Sequence, residues 1–173
     1  PASSFGHSFL KIERHLPLAK QGKRELLDHG IEFSADVDTE NSVIYAVKGL
    51  VGLFKGTFKR IPYYYKVREY NDYESRDLWS YHLNLTKKQL LMLVLHLWEL
   101  GSNYFDYYYM TENCSYHIFA AVDVVLEEHD LIAELSRSTV LPVDTLKIIN
   151  NVPGLVSKIE FRPSLTSQFK LRA

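Results

Sequence analysis

Between Thr86 and Gly101 the chain carries a helix whose two ends are both written into the sequence. Thr86 with Gln89 three residues later is a capping box, in which each side chain serves the other's backbone N–H, and Gly101 supplies the stop. Between them, Leu90 to Leu100 reads Leu-Leu-Met-Leu-Val-Leu-His-Leu-Trp-Glu-Leu. A helix with so few polar positions needs other elements wrapped around it. It therefore predicts a core helix in a layered fold. His96, inside this run, reads as a satisfied core histidine rather than a ligand.

The flanking segments supply the other layers. Ser8 to Glu13 alternates apolar and polar residues and predicts a strand. Leu16 to Glu25, polar with Pro17 and Gly22, is a connection, and Leu26 to Ser34 is a second extended run expected to pair antiparallel with the first. Asp36 to Asn41 is turn-like. Val43 to Phe58 is apolar but broken by Gly49, Gly52 and Gly56. That spacing predicts an adaptable loop or short helix, which either lets a backbone or ligand approach closely or is simply a packed loop. Tyr63 to Tyr70 reads as β, and Asn71 to Tyr81 as a charged helix around Glu74, Arg76 and Asp77. A helix opening at Glu112 or Asn113 runs to about Glu128. Pro142 starts another through Asn150, and Val156 to Phe161 is a last strand. The class is α+β, a single domain over residues 1–173. The start at Pro1 rather than Met predicts a processed or trimmed piece of a longer protein.

Composition excludes several functions. The 20 basic and 21 acidic residues and a pI near 6.8 give no support for nucleic-acid binding. No run reaches the roughly 18 apolar residues of a membrane span. The single cysteine forms no internal disulfide, and no ligands recur at metal spacing, so neither a metal nor a cofactor is expected. Aromatic residues reach 13%, with twelve tyrosines, a content suited to greasy, partly wet grooves.

That cysteine, Cys114, stands in Glu112-Asn113-Cys114-Ser115-Tyr116-His117, at the first turn of the helix expected there. Backbone N–H groups and the helix dipole favour its thiolate at that place. A thiolate nucleophile needs a base, brought close by folding. His15 and His129 lie in polar, exposed stretches. His117 is three residues on along the same helix and rarely within aligned reach. His7, after small residues at the mouth of the first strand, is the better partner. A histidine strand preceding a cysteine helix is the arrangement of a circularly permuted papain-like (NlpC/P60-like) fold. A third residue orienting the imidazole is expected on the second strand, from His29, Glu32 and Ser34.

Longer motifs come in order along the chain. They are Pro1-Ala2-Ser3-Ser4-Phe5-Gly6-His7-Ser8-Phe9-Leu10, Lys48-Gly49-Leu50, Pro62 to Tyr70, Arg76-Asp77-Leu78-Trp79, Leu95 to Leu100, Phe105 to Tyr109, and Glu112 to Tyr116. Together they resemble the N-terminal periplasmic domain of the Lnb-type lipoprotein N-acyltransferases, over at least Pro1 to Val143. The resemblance implies a cysteine–histidine pair that takes an acyl chain from a diacylated lipoprotein as a thioester and passes it to an amine. Cys114 would be the nucleophile and His7 the base. The family's second strand commonly carries an Asn-Tyr-type pair where this chain has Ile31-Glu32-Phe33. The acyltransferases also carry membrane-spanning segments, which implies a periplasmic, membrane-associated full-length protein acting on lipid or lipoprotein.

On this reading the Cys114 N–H, with Ser4 or Asn113 beside it, would hold the developing oxyanion. Tyr63, Tyr64, Tyr107 and Tyr108, with the Leu50–Phe54 segment, would line an acyl-chain groove, or simply pack. Two alternatives share the scaffold: a cysteine amidase or peptidase, and a non-catalytic binding module.

Overall fold

The structure, a computed structural model, describes residues 6–13, 28–126, 129–135 and 138–172. Ser4, His15 and the Leu16–Glu25 connection lie outside the described residues. In chain order the strands are β1 (Phe9–Ile12), β2 (His29–Asp36), β3 (Phe54–Pro62), β4 (Leu78–Leu83), β5 (Tyr104–Tyr107) and β6 (Val156–Arg162). The helices are α1 (Ser42–Leu50), α2 (Tyr63–Val67), α3 (Lys87–Leu100), α4 (Cys114–Asp123), α5 (Pro142–Asn151) and α6 (Leu165–Arg172). This is an α+β chain with antiparallel pairing, arranged as a four-stranded sheet β1-β2-β3-β5 and a separate β4-β6 pair.

The chain divides into two compact units. The first comprises Pro1–Leu10, Glu32–Lys59 and Leu85–Val152. Its centre is Phe33, fully buried, with the rings of Phe58, Tyr107 and His117 at 5.0, 5.7 and 4.0 Å. From α4 come the buried Ile118, Phe119, Ala121 and Val122, and from α5 Ile148 and Ile149. Pairing of β3 with β5 sets Phe54 opposite Tyr107 and Gly56 opposite Phe105. Gly56 is required here because the Phe33 ring lies over it; a Cβ would stand 2.2 Å from Phe33 Cζ.

The second unit comprises Lys11–Ile31, Arg60–Asn84 and Pro153–Ala173. The β4-β6 pair runs from Leu78 opposite Arg162 to Leu83 opposite Val156, with Trp79 and Phe161 rings 4.5 Å apart. Asn71 Nδ2 donates to the Pro163 carbonyl at 2.9 Å, and Asp77 Oδ1 accepts from Ser164 N–H at 2.8 Å.

Several expectations fail for identifiable reasons. In the Val43–Phe58 segment the short-helix alternative holds for the first half, where Asn41 caps α1 with Oδ1 accepting from Val43 and Ile44 N–H, but the second half is β3, which was not expected. The close approach at its glycines comes from this chain's own rings, Tyr109 at Gly49 and Tyr108 at Gly52, not from a ligand. Tyr63 to Tyr70 is helical rather than β. Pro62 has no N–H to continue a ladder, and the Tyr63 N–H turns away to the Asp28 carbonyl at 3.0 Å. The expected helix around Glu74, Arg76 and Asp77 stops instead, because Ser75 enters the left-handed region at φ 53°, and Leu78 to Leu83 is a strand. Helix α4 ends at Asp123, and α6 follows β6 where no helix was expected.

Helix α3 has the expected box and stop, yet it is not a core helix. Only Leu93 and Leu97 are buried, four residues apart along one seam. Leu91, Met92, Leu95 and Trp98 face outward, Trp98 at 81% exposure, and His96 is half-buried rather than in the core.

Candidate active site

Asn113 sets the site by setting the start of α4. Its side-chain Oδ1 accepts from the N–H groups of Ser115 and Tyr116 at 3.0 and 3.3 Å, the N-cap arrangement. Its Nδ2 donates to the carbonyls of Val140 and Tyr109 at 2.8 and 3.1 Å. Both halves of the amide are thereby spent on the fold, which ties the start of α4 to the segments that follow β5 and precede α5. Cys114 is the first helical residue, a free thiol at 5% exposure.

Opposite the thiol stands His7. Gly6, just before it, takes φ 98°, and a Cβ there would meet Pro142 at the first turn of α5. The His7 side chain hydrogen-bonds the Cys114 side chain, and its Nε2 lies 3.5 Å from Glu32 Oε2. Glu32 comes from the middle of β2 and is itself buried. Of the three candidates on that strand, Glu32 is therefore the one brought to the imidazole. His29 belongs to the second unit, and Ser34 is two residues further along β2.

The electrostatics follow from this placement. Burial disfavours the imidazolium of His7, but its bonds to Cys114 and Glu32 and their negative charges outweigh burial and raise it to about 9. Burial likewise pushes the Cys114 thiol up. The bond and charge of His7, with the Ser8 backbone and the Ser115 hydroxyl, more than reverse that and lower it to about 7. Between those limits the pair is a thiolate beside an imidazolium, the reactive form of a cysteine.

Tyr107 closes the other side. Its hydroxyl accepts from the Cys114 N–H at 3.4 Å. The Ser115 hydroxyl lies 3.9 Å from the sulfur and hydrogen-bonds Ser8 Oγ at 3.1 Å. Tyr108 and Tyr109 pack on Gly52 and Gly49 at the end of α1. Tyr63 and Tyr64 belong to the second unit, where the Lys11 ammonium lies 4.5 Å over the Tyr63 ring and Tyr64 stacks on Tyr65. His117 sits in a nest of Phe33, Phe58 and Phe105, and burial alone lowers it to about 4, so it stays neutral. Among the described residues no group of three or more His, Cys, Asp or Glu is placed to hold a metal ion.

Ser8, Ser115 and the hydroxyl of Tyr107 are the neighbours of the thiol that sequence reasoning missed as polar contacts. For the two serines the signal is adjacency, since Ser8 follows His7 and Ser115 follows Cys114; Tyr107 has no such signal.

Fold and site together define an α+β domain with a cysteine–histidine–glutamate constellation at a helix N-terminus. The chain belongs to the family of the Lnb N-terminal periplasmic domain, which it matches over residues 1–152. That family places it outside the cytoplasm. No curated protein and no solved structure matches the chain. Among the described residues no helix is long and apolar enough to cross a membrane.

Proposed function

We propose that this domain is a cysteine acyltransferase, with Cys114 as nucleophile, His7 as acid and base, and Glu32 holding the imidazole. The observation that carries the reading is the buried thiol–imidazole pair, with Glu32 Oε2 3.5 Å from His7 Nε2. The order of histidine strand before cysteine helix supports a circularly permuted papain-like arrangement, in one domain spanning residues 1–173.

The chemistry balances in two steps. The Cys114 thiolate attacks an ester carbonyl, and the tetrahedral oxyanion is met by the Cys114 N–H. The carbon–oxygen bond breaks, His7 gives its proton to the departing alkoxide, and a thioester remains. An amine then attacks the thioester while neutral His7 takes its proton. The carbon–sulfur bond breaks, releasing an amide and restoring thiolate and imidazolium.

Acyl transfer is preferred over amide cleavage because α1, tied through Gly49 to the Tyr109 segment that leads into α4, exposes apolar side chains. Val43, Val47, Leu50 and Leu53, on α1 and the segment after it, are exposed, and Tyr109 joins that helix through its N–H to the Gly49 carbonyl at 2.9 Å. An acyl chain of a lipid or diacylated lipoprotein would lie there, membrane-proximal. Incubation with a diacylated lipopeptide bearing a free amine tests this. N-acylated product and a hydroxylamine-labile adduct on Cys114 are expected, both lost in Cys114→Ala. Peptide cleavage instead would establish the amidase reading, and intact activity in Cys114→Ala would refute both.

A further inference from the structure

We infer that Tyr107 is a catalytic residue, its hydroxyl acting with the Cys114 N–H as the second donor of the oxyanion hole; this rests on the acyl-transfer reading above. The hydroxyl oxygen stands 3.4 Å from the Cys114 nitrogen and also hydrogen-bonds the Cys114 side chain. A carbonyl carbon attacked by the sulfur carries its oxygen one bond away, towards the start of α4. A group that reaches both the N–H and the sulfur therefore reaches that oxygen. At 3.4 Å the resting N–H to hydroxyl contact is long, so an entering oxyanion, a stronger acceptor, displaces the phenol oxygen from the N–H. The phenol then rotates its proton onto the newcomer. No bond is made or broken at Tyr107 in this step.

The residue is built to stay in place and to stay protonated. Its backbone is paired to β3, and its ring stacks on Phe33 at 5.7 Å and meets Tyr109 edge-on at 5.8 Å. Burial and the neighbouring Cys114 charge hold its pKa far above that of an ordinary phenol, so it remains a donor wherever the thiolate exists. Of the neighbouring donors, the Asn113 amide is spent on two carbonyls, the Ser115 hydroxyl is shared between Ser8 and the sulfur, and the Ser8 backbone bonds the sulfur itself.

Two reactions of the same sulfur test the assignment. Acylation by a p-nitrophenyl ester passes through an oxyanion, whereas alkylation by iodoacetamide does not. Tyr107→Phe, which keeps the ring on Phe33, is expected to slow single-turnover acylation by about 100-fold. Alkylation should stay within about threefold across its pH profile, which also reports that the site is folded. Unchanged acylation overturns the inference, and so does an equal fall in both rates, which would place Tyr107 behind the thiolate instead. Failure of the wild-type protein to acylate, with normal alkylation, overturns the acyl-transfer reading and this inference with it. The two failures are distinguishable because one appears in wild type and the other only in the variant.

Discussion

At the scale of single residues, the Cys114–His7 pair makes a prediction about pH. A thiol lowered to about 7 and an imidazole raised to about 9 give a reactive window between those values. The iodoacetamide alkylation rate of Cys114 should therefore rise with a midpoint near 7. In His7→Ala only burial and the weaker bonds remain, so the midpoint should move above the ordinary thiol value of 9.0. Glu32→Gln removes one of the charges that hold His7 up, and the alkaline limb of acyl transfer should shift to lower pH. A midpoint that His7→Ala leaves in place would show that the two side chains do not share a proton.

His117 makes a separate residue-scale prediction, about stability rather than activity. Its native pKa is about 4 against 6.5 for the free side chain. Above pH 6.5 it is neutral in both the native and the unfolded chain and costs nothing. As pH falls towards 4 the unfolded chain takes up a proton that the native nest refuses, so stability declines. The loss is complete below about 4 and amounts to about 3 kcal/mol at most. Thermal unfolding of His117→Phe should therefore lose less stability than wild type between pH 6.5 and 4. An equal decline in both proteins would contradict the account.

At the scale of elements, the legible parts were those whose signals are local. The Thr86–Gln89 box, Asn113 before α4 and Pro142 at the first turn of α5 each act within a few residues, and each appears where read. The glycine-rich segment was legible only in its short-helix alternative; β3 and the rings that arrive at Gly49, Gly52 and Gly56 from Tyr109, Tyr108 and Phe33 were not. The aromatic Tyr63–Tyr70 run misled for a related reason: β-propensity reflects a half-buried pleated surface, and Pro62 ends that surface. Gly56 gives this scale its test. Gly56→Ala puts a methyl into the Phe33 ring, the shared anchor of Tyr107 and His117. We expect a loss of about 2 kcal/mol or more in denaturant unfolding, and a thiol midpoint displaced upward as the site loosens. A fully stable Gly56→Ala would mean that Phe33 moves aside freely.

At the scale of the whole molecule, the site combines residues that no periodicity connects: His7 before β1, Glu32 within β2, and Tyr107 and Cys114 on either side of a loop. That Cys114 and His7, the proposed nucleophile and base, come together was readable from helix-start chemistry and ordered motifs. Which residue on β2 turns toward the imidazole, and the hydroxyl at the Cys114 N–H, depend on packing that only the folded chain supplies.

The proposed acyl transfer makes its prediction at the same scale. On α1, Val43, Val47 and Leu50 recur at helical spacing along one exposed stripe. A fully buried methylene is worth about 0.8 kcal/mol, so an acyl chain that covers even part of this stripe gains severalfold with each added carbon pair. Wild-type acylation of Cys114 should therefore favour dodecanoyl over butanoyl p-nitrophenyl esters. Val47→Glu with Leu50→Glu should erase most of that preference while leaving butanoyl acylation and the thiol midpoint near 7 unchanged, because neither residue touches the His7–Cys114 pair. If wild type shows no chain-length preference, the stripe does not carry the acyl chain. If both esters slow together in the double variant, the substitutions act on the fold of α1 and the Tyr109 contact rather than on substrate.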